Sequence, residues 1–308
     1  MDEQAWARMA ADWMRHARRG EWEEAWTISD TLLRSRGGAS CRHWPRHEQW
    51  VWDGTPLGGR RVLVRCYHGL GDTLQFIRYA PLVQRTAAEA VYRVQPKLIP
   101  LLRTVRGIGR LLPLHDGAPE VEHDVDVELM ELAHVFRTTL ATIPRDVPYL
   151  HVDPAPLPRT GRLAAGIVWR SGEWDERRSI PFPLLAPLRE IGGVDWFVFQ
   201  GGPGLEEWDG SFGTHPGAAD LLHEARLLRS LDVIVTVDTM TAHLAGALAV
   251  PVWTLLQAEA DWRWMEGRGD SPWYPTMRLF RQEQAGDWEP VVARVAAELR
   301  ALAARRTV

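Results

Sequence analysis

The spacing of apolar and polar positions divides this chain into a helical opening followed by two stretches of alternating strand and helix patterns. Trp6, Met9, Ala10 and Trp13 recur at helical intervals, Gly20 interrupts, and Trp22, Ala25, Trp26, Ser29 and Leu33 resume. This predicts one helical hairpin between Gln4 and Arg36, inside a segment 1–40. Its size and small residues match one tetratricopeptide unit or an ordinary helix pair. A single such unit cannot bury its own face, so it packs against the remainder of the chain. Gly37, Gly38 and Pro45 mark a linker.

From Arg61 the period changes. Strand patterns are read over residues 61–67, 90–95, 111–114 and 125–129, with helices over 73–86 and 98–105. The proline-rich segment from Asp153 to Gly161 reads as a boundary. Strands then recur over 163–169, 196–199, 233–237 and 252–256, with helices over 183–190, 223–230, 241–248 and 288–304. Such alternation implies parallel sheets with right-handed crossovers. The organisation read here is a first lobe over 60–155, a second over 162–287, and a last helix over 288–308.

Two turns carry the candidate chemistry. HGLGD, from His68 to Asp72, comes after the apolar run Val62-Leu63-Val64. VDTMTAH, from Val237 to His243, comes after Val233-Ile234-Val235. In open parallel sheets ligands bind beyond the carboxyl ends of strands, where such turns sit. Asp72 can serve as a general base toward a hydroxyl or simply cap its helix. Gly69 and Gly71 let the backbone turn sharply there. Asp238, Thr239 and Met240 open a helix whose exposed amides suit a pyrophosphate. His243, one turn in, either faces the same ligand or the core. Arg177 and Arg178, in the polar loop 170–179, offer bidentate donors to phosphate. Gln200 ends the next strand.

Asp124-Val125-Asp126 has the DxD spacing used by some sugar transferases for a metal, with His123 and Glu128 nearby. The alternation with Val125, Val127 and Leu129 equally fits a strand with one wet face. There is no P-loop, HExxH or GxSxG, and GLG lacks the third glycine of a dinucleotide fingerprint.

The net charge of −4 gives no general attraction to nucleic acid or anionic lipid. Lys97 is the only lysine, so phosphate contacts fall to arginines and the backbone. Cys41 and Cys66 form no framework, which suits a reducing cytoplasm. The opening residues lack the apolar core of a signal peptide, and no run is long enough to span a bilayer.

With these motifs in view, the chain resembles the heptosyltransferase-like glycosyltransferases of family 9, in the variant associated with tetratricopeptide repeats in bacteria. The resemblance runs from about Trp50 to Leu302. It rests on WDGTPLGGRRVLV (52–64), GLGDTLQFIRYAPLV (69–83), RRSIP (177–181), SLDVIVTVDTMTAHLAGAL (230–248), PVWTLL (251–256) and DWRWMEGRGDSPWYPTMRLFRQ (261–282). It implies an α/β chain of GT-B fold, with two Rossmann-like lobes of parallel sheet facing a cleft. The last helix would pack back toward the first lobe. It implies a metal-independent, inverting transfer of a sugar from a nucleotide-diphosphate donor to a hydroxyl. Asp72 would be the base, with His68, Gly69 and Gly71 forming the acceptor-side loop. Arg177, Arg178, Gln200, Asp238, Thr239, Met240 and His243 would form the donor site. No cofactor or metal is expected. The acceptor would be a glycan, a lipid-linked group or a protein, and the hairpin offers a surface for a protein partner. The chain departs from the family pattern at Met240, where a small residue is usual, and at Gly201, where a lysine is usual. The rival readings are a non-catalytic scaffold that binds nucleotide sugars or proteins, and a nucleotide-dependent oxidoreductase.

Overall fold

The structure is a computed structural model that describes residues 3–36, 45–46, 49–117 and 121–306. Cys41 and the linker glycines Gly37 and Gly38 lie outside the described residues. The chain divides into two compact units: residues 1–150 with 261–267, and residues 151–260 with 268–308.

Unit 1 opens with helices α1 (Glu3–Arg19) and α2 (Trp22–Arg36). Gly20 joins them at φ +76°, a conformation that costs glycine little. The buried face of α2 carries Trp22, Ala25, Trp26 and Leu32. The hairpin is tied into the unit rather than standing alone. Trp26 Nε1 donates to the Thr138 carbonyl at 2.7 Å, and His134 Nε2 meets Asp30 Oδ1 at 2.8 Å. The late segment 261–267 belongs here too. Trp262 packs edge-on against Trp13 and Trp22, at 5.4 and 6.0 Å between centroids, and Glu266 N donates to the Arg18 carbonyl.

The rest of unit 1 runs β1 (Arg61–Arg65), α3 (Leu70–Phe76), α4 (Ala80–Thr86), β2 (Glu89–Val94), α5 (Ile99–Leu102), β3 (Arg110–Pro113), β4 (Val125–Glu128) and α6 (Leu132–Val135). The sheet is parallel throughout, in the order β3-β2-β1-β4. The single helix expected over 73–86 is instead α3, a 3-10 turn at Ile77–Tyr79, and α4. Pro81 is the cause, since it offers no amide to the Ile77 carbonyl and its ring crowds the preceding turn.

Unit 2 runs β5 (Leu163–Val168), α7 (Ala186–Arg189), β6 (Val194–Val198), α8 (Leu221–Leu228), β7 (Val233–Val237), α9 (Met240–Ala247), β8 (Val252–Leu256), β9 (Met277–Arg281) and α10 (Glu289–Arg306). Its sheet is also parallel, in the order β6-β5-β7-β8-β9. β5, β7 and β8 are buried along their whole length, as strands covered on both faces must be. β9 is an addition to the strands read from the sequence, where its short run MRLFR carries too little alternation to stand out.

The last helix, α10, belongs to unit 2. The buried face of α10, with Val291, Val292, Val295 and Leu299, joins the core of unit 2 beside Leu163, Leu185 and Leu188. Burying each of these aliphatic side chains contributes roughly 1.5–3 kcal/mol before ordering entropy is subtracted. That apolar stripe is thereby spent inside unit 2. Among the described residues, no helix is long and apolar enough to cross a membrane.

Candidate functional site

Each sheet has one place where its strand order reverses, and the candidate turns sit there. In unit 1, β2 and β3 lie to one side of β1 and β4 to the other. The crevice between the carboxyl ends of β1 and β4 is the expected ligand position. It is bordered by the His68–Asp72 turn and by Glu128, whose Cα partners Arg65. In unit 2 the reversal lies between β5 and β7, bordered by the loop after Trp169 and by the Asp238-Thr239 turn.

The unit 1 turn is built around Asp72, the third residue of α3. Its Oδ2 accepts from the Gly69 amide at 2.9 Å, so it does cap its helix. A Cβ on Gly69 would stand 3.1 Å from that oxygen, so glycine permits this close return. The other oxygen, Oδ1, accepts from Arg263 Nη1 at 2.8 Å. Gln95 braces the turn by donating to the His68 carbonyl at 2.7 Å while accepting from Thr73 Oγ1. Gly71 lies in the first turn of the helix.

Arg263 is a site residue to which the sequence pattern assigned no role. It arrives from the segment 261–267, with Asp261 accepting from its amide and pairing with its Nε at 3.0 Å. Its side chain is 10% exposed and lies over Phe76 and Trp262. Nothing short of the tertiary fold joins positions so far apart. The one available signal was the arginine between two tryptophans, Trp262-Arg263-Trp264.

Glu128 is the second addition. Its carboxyl group is 2% exposed, with His68 Nε2 at 3.8 Å. Burial pushes this acid up to about 8, and the neighbouring Glu131 adds to the rise, against amide donation from Met130 and Tyr67. An acid raised in the folded state stabilises the fold fully below its unfolded value, near 4.5. That contribution is lost as pH rises through about 8. Glu128→Gln should therefore flatten the decline in unfolding free energy between pH 5 and pH 9 by about 4 kcal/mol. Denaturant titrations at both pH values check this, and parallel curves for the two proteins would refute the assignment.

The DxD pair is consumed locally. Arg61 engages Asp124 through its backbone and side chain and holds that carboxyl well below its ordinary range. Arg65 makes a bidentate pair with Asp126. Both arginines belong to β1, so this is a cross-strand ladder of charge.

In unit 2 the two arginines of the loop part company. Arg178 Nη1 donates to the Asp238 carbonyl at 3.3 Å, which brings it to the second turn. Arg177 turns back on Asp175, with its side chain 71% exposed, and its hydrogen bond holds that carboxyl down to about 2. Gln257 takes the other Asp175 oxygen at 3.0 Å. Ser179 Oγ, accepting from the Ser171 amide at 3.1 Å, closes the neck of the loop.

Thr239 occupies the N-cap of α9 in extended conformation and makes no side-chain cap. Its hydroxyl meets Thr236 Oγ1 at 3.1 Å instead. Met240 is half-buried at the first helical position, and the Asp238 side chain is buried. His243 faces inward, 3% exposed, with Nδ1 3.0 Å from the Tyr274 hydroxyl. Thr241 hydrogen-bonds Glu224.

Gln200 is hydrogen-bonded to backbone at the end of β5. Its Oε1 accepts from the Trp169 and Arg170 amides, at 3.1 and 2.9 Å. Its Nε2 donates to the Arg170 and Gly201 carbonyls. Four bonds are the capacity of one carboxamide used this way, so Gln200 straps the end of β5.

With this geometry in view, comparison with known proteins is informative. No family model matches the chain. The crystal structure of the glycosyl transferase family 9 from Veillonella parvula DSM 2008 superposes with a TM-score of 0.55 at 14% identity. The match covers 80% of this chain and 99% of that one. The structure of E. coli ADP-heptose lps heptosyltransferase II gives 0.55 at 16% identity, covering 80% and 100%.

The chain shares its fold with these glycosyltransferase and heptosyltransferase structures.

A third structure, dodecameric iron-containing heptosyltransferase TibC in complex with ADP-D-beta-D-heptose, gives 0.53 at 16% identity, covering 76% of this chain and 66% of that one. Among curated proteins, Protein FlbA of Caulobacter vibrioides (strain ATCC 19089 / CIP 103742 / CB 15) is 29% identical over 299 residues. That alignment covers 82% of this chain and 48% of FlbA. The chain thus spans about half the length of that relative.

Proposed function

We propose that this chain is a glycosyltransferase of GT-B type. It moves a sugar from a nucleotide-diphosphate donor, held by unit 2, to an acceptor hydroxyl presented to Asp72 of unit 1. The observation that carries this reading is the pair of strand-order reversals. One bears a carboxylate, Asp72, and the other a helix N-terminus with Arg178 against it. In-line attack by the activated hydroxyl inverts the anomeric carbon. Asp72 takes the proton, and the bond to the diphosphate breaks. The fold likeness to heptosyltransferases supports a donor of the ADP-sugar class.

The departing diphosphate gains negative charge. The Met240 and Thr241 amides at the start of α9, the helix dipole and Arg178 meet that charge without a metal ion. Arg177 is exposed and free to swing only by giving up Asp175. Arg178→Ala should weaken nucleotide-sugar binding about tenfold, while Arg177→Ala should change it less than twofold. Calorimetric titration of each variant against ADP-sugars checks this. The reverse order of effects would move the phosphate contact to the outer arginine. The hairpin, whose tetratricopeptide character belongs to the same proposal, offers α1 as a surface for a protein partner or acceptor.

A further inference from the structure

Unit 1 holds a cavity of about 310 Å³ that shares His68 and Glu128 with the acceptor-side crevice and extends from there under the helical hairpin. Its walls include Trp6, Trp13, Trp26, Trp50, Trp52 and Trp262. Glu128 and Glu131 also line it, and among the described residues no lysine or arginine does. We infer that this cavity binds an organic cation, an ammonium or guanidinium group carried on a short apolar stem.

Three observations lead there. The first is the wall chemistry. Indole faces carry negative quadrupole potential and attract cations, most strongly where water is excluded. The second is the acid. Glu128 is 2% exposed and receives two amide bonds, from Met130 at 2.6 Å and Tyr67 at 3.3 Å. Glu131 is more fully used, accepting from the Val51, Trp52 and Glu128 amides. The pair stands side by side in a low-dielectric setting whose described wall carries no lysine or arginine. A buried carboxylate in such surroundings gains most from a mobile positive partner.

The third is that the nearby arginines make their hydrogen bonds elsewhere, although the charge of Arg36 still reaches Glu131. Arg36 donates to the Trp50 and Trp52 carbonyls. Arg263, close to the Trp262 ring, is bonded to Asp72 and paired with Asp261. His134 lies against Asp30, and burial holds it below its ordinary value despite that partner. His68, at 3.8 Å from Glu128, is the remaining titratable group in the described wall. A dry apolar cavity of about 150 Å³ accepts benzene, so this volume suits a charged head with a stem of four or five carbons. Six indoles favour the stem and the two acids favour the head. A fatty chain or a neutral ring would satisfy only the first.

This inference does not rest on the transfer reading, since a catalytically silent protein would bind the same cation. The test is titration of the whole chain at pH 8, monitored by tryptophan emission and by calorimetry. The probes are n-butylguanidinium, n-butylammonium, neutral n-pentanol and pentanoate. The cations should saturate at least tenfold tighter than pentanol, with pentanoate weakest. Glu128→Gln should lower cation affinity at least tenfold and leave pentanol within twofold. Equal binding of pentanol and the cations would reduce the cavity to an apolar hole and overturn the inference. So would preference for pentanoate, or no saturable binding of any probe. The four-probe series on the wild-type chain decides the matter even if the variant does not fold.

Discussion

Asp72→Asn should lower sugar transfer by about 10²–10⁴-fold while donor affinity stays within about twofold. The amide keeps the size of the carboxylate and can still accept from the Gly69 amide, so α3 remains capped. It cannot take a proton from an attacking hydroxyl. The donor turn lies in the other unit, on residues that do not include Asp72. Loss of rate with preserved binding would therefore isolate the base from the fold. Single-turnover rates with a labelled nucleotide sugar, beside calorimetric affinities, separate the two quantities. Turnover equal to wild type would remove Asp72 from the mechanism.

Arg263→Met should reduce turnover by roughly 10–100-fold, an effect we assign to positioning rather than to contact with substrate. The Arg263 guanidinium lies 2.8 Å from Asp72 Oδ1, in a pair whose side chains are 10% and 23% exposed. Removing one partner of so sheltered a pair leaves the other charge uncompensated. Asp72 would then face the Glu128 acid without a cation, which favours its protonated form. The acid limb of the pH–rate profile should move to higher pH, and Arg263→Lys should restore part of the rate. A packing role alone would lower stability without moving that limb. Donor affinity should be unchanged, because Arg263 belongs to unit 1. A variant with wild-type turnover and an unmoved profile would show the ion pair to be incidental.

How much of this was legible in the sequence depends on what kind of contact built it. β7 and β8 begin and end where their apolar runs do, because a fully buried strand must be apolar at nearly every position. Both candidate turns lie where a strand feeds a helix, a local relation that spacing reveals. What was hidden is non-local. Asp72 and Arg263 meet only through the fold, and Glu128 is drawn to Tyr67 by the pairing of β4 with β1. The hydrogen-bond partners of Gln200 and His243 were hidden for a related reason. Whether an amide or an imidazole faces a ligand or the backbone is set by neighbours from other elements, here Arg170 and Tyr274. The helix over 73–86 failed at Pro81, a signal that was present and outweighed by the apolar period around it.

The most direct test of nucleotide-sugar transfer is mass spectrometry of the purified chain incubated with a panel of nucleotide-diphosphate sugars, ADP-heptose included. The account predicts that at least one donor is retained by the protein or cleaved to its nucleoside diphosphate. If no member of the panel is bound or turned over, the chain is a scaffold that keeps the fold without the chemistry, and the proposed function is contradicted.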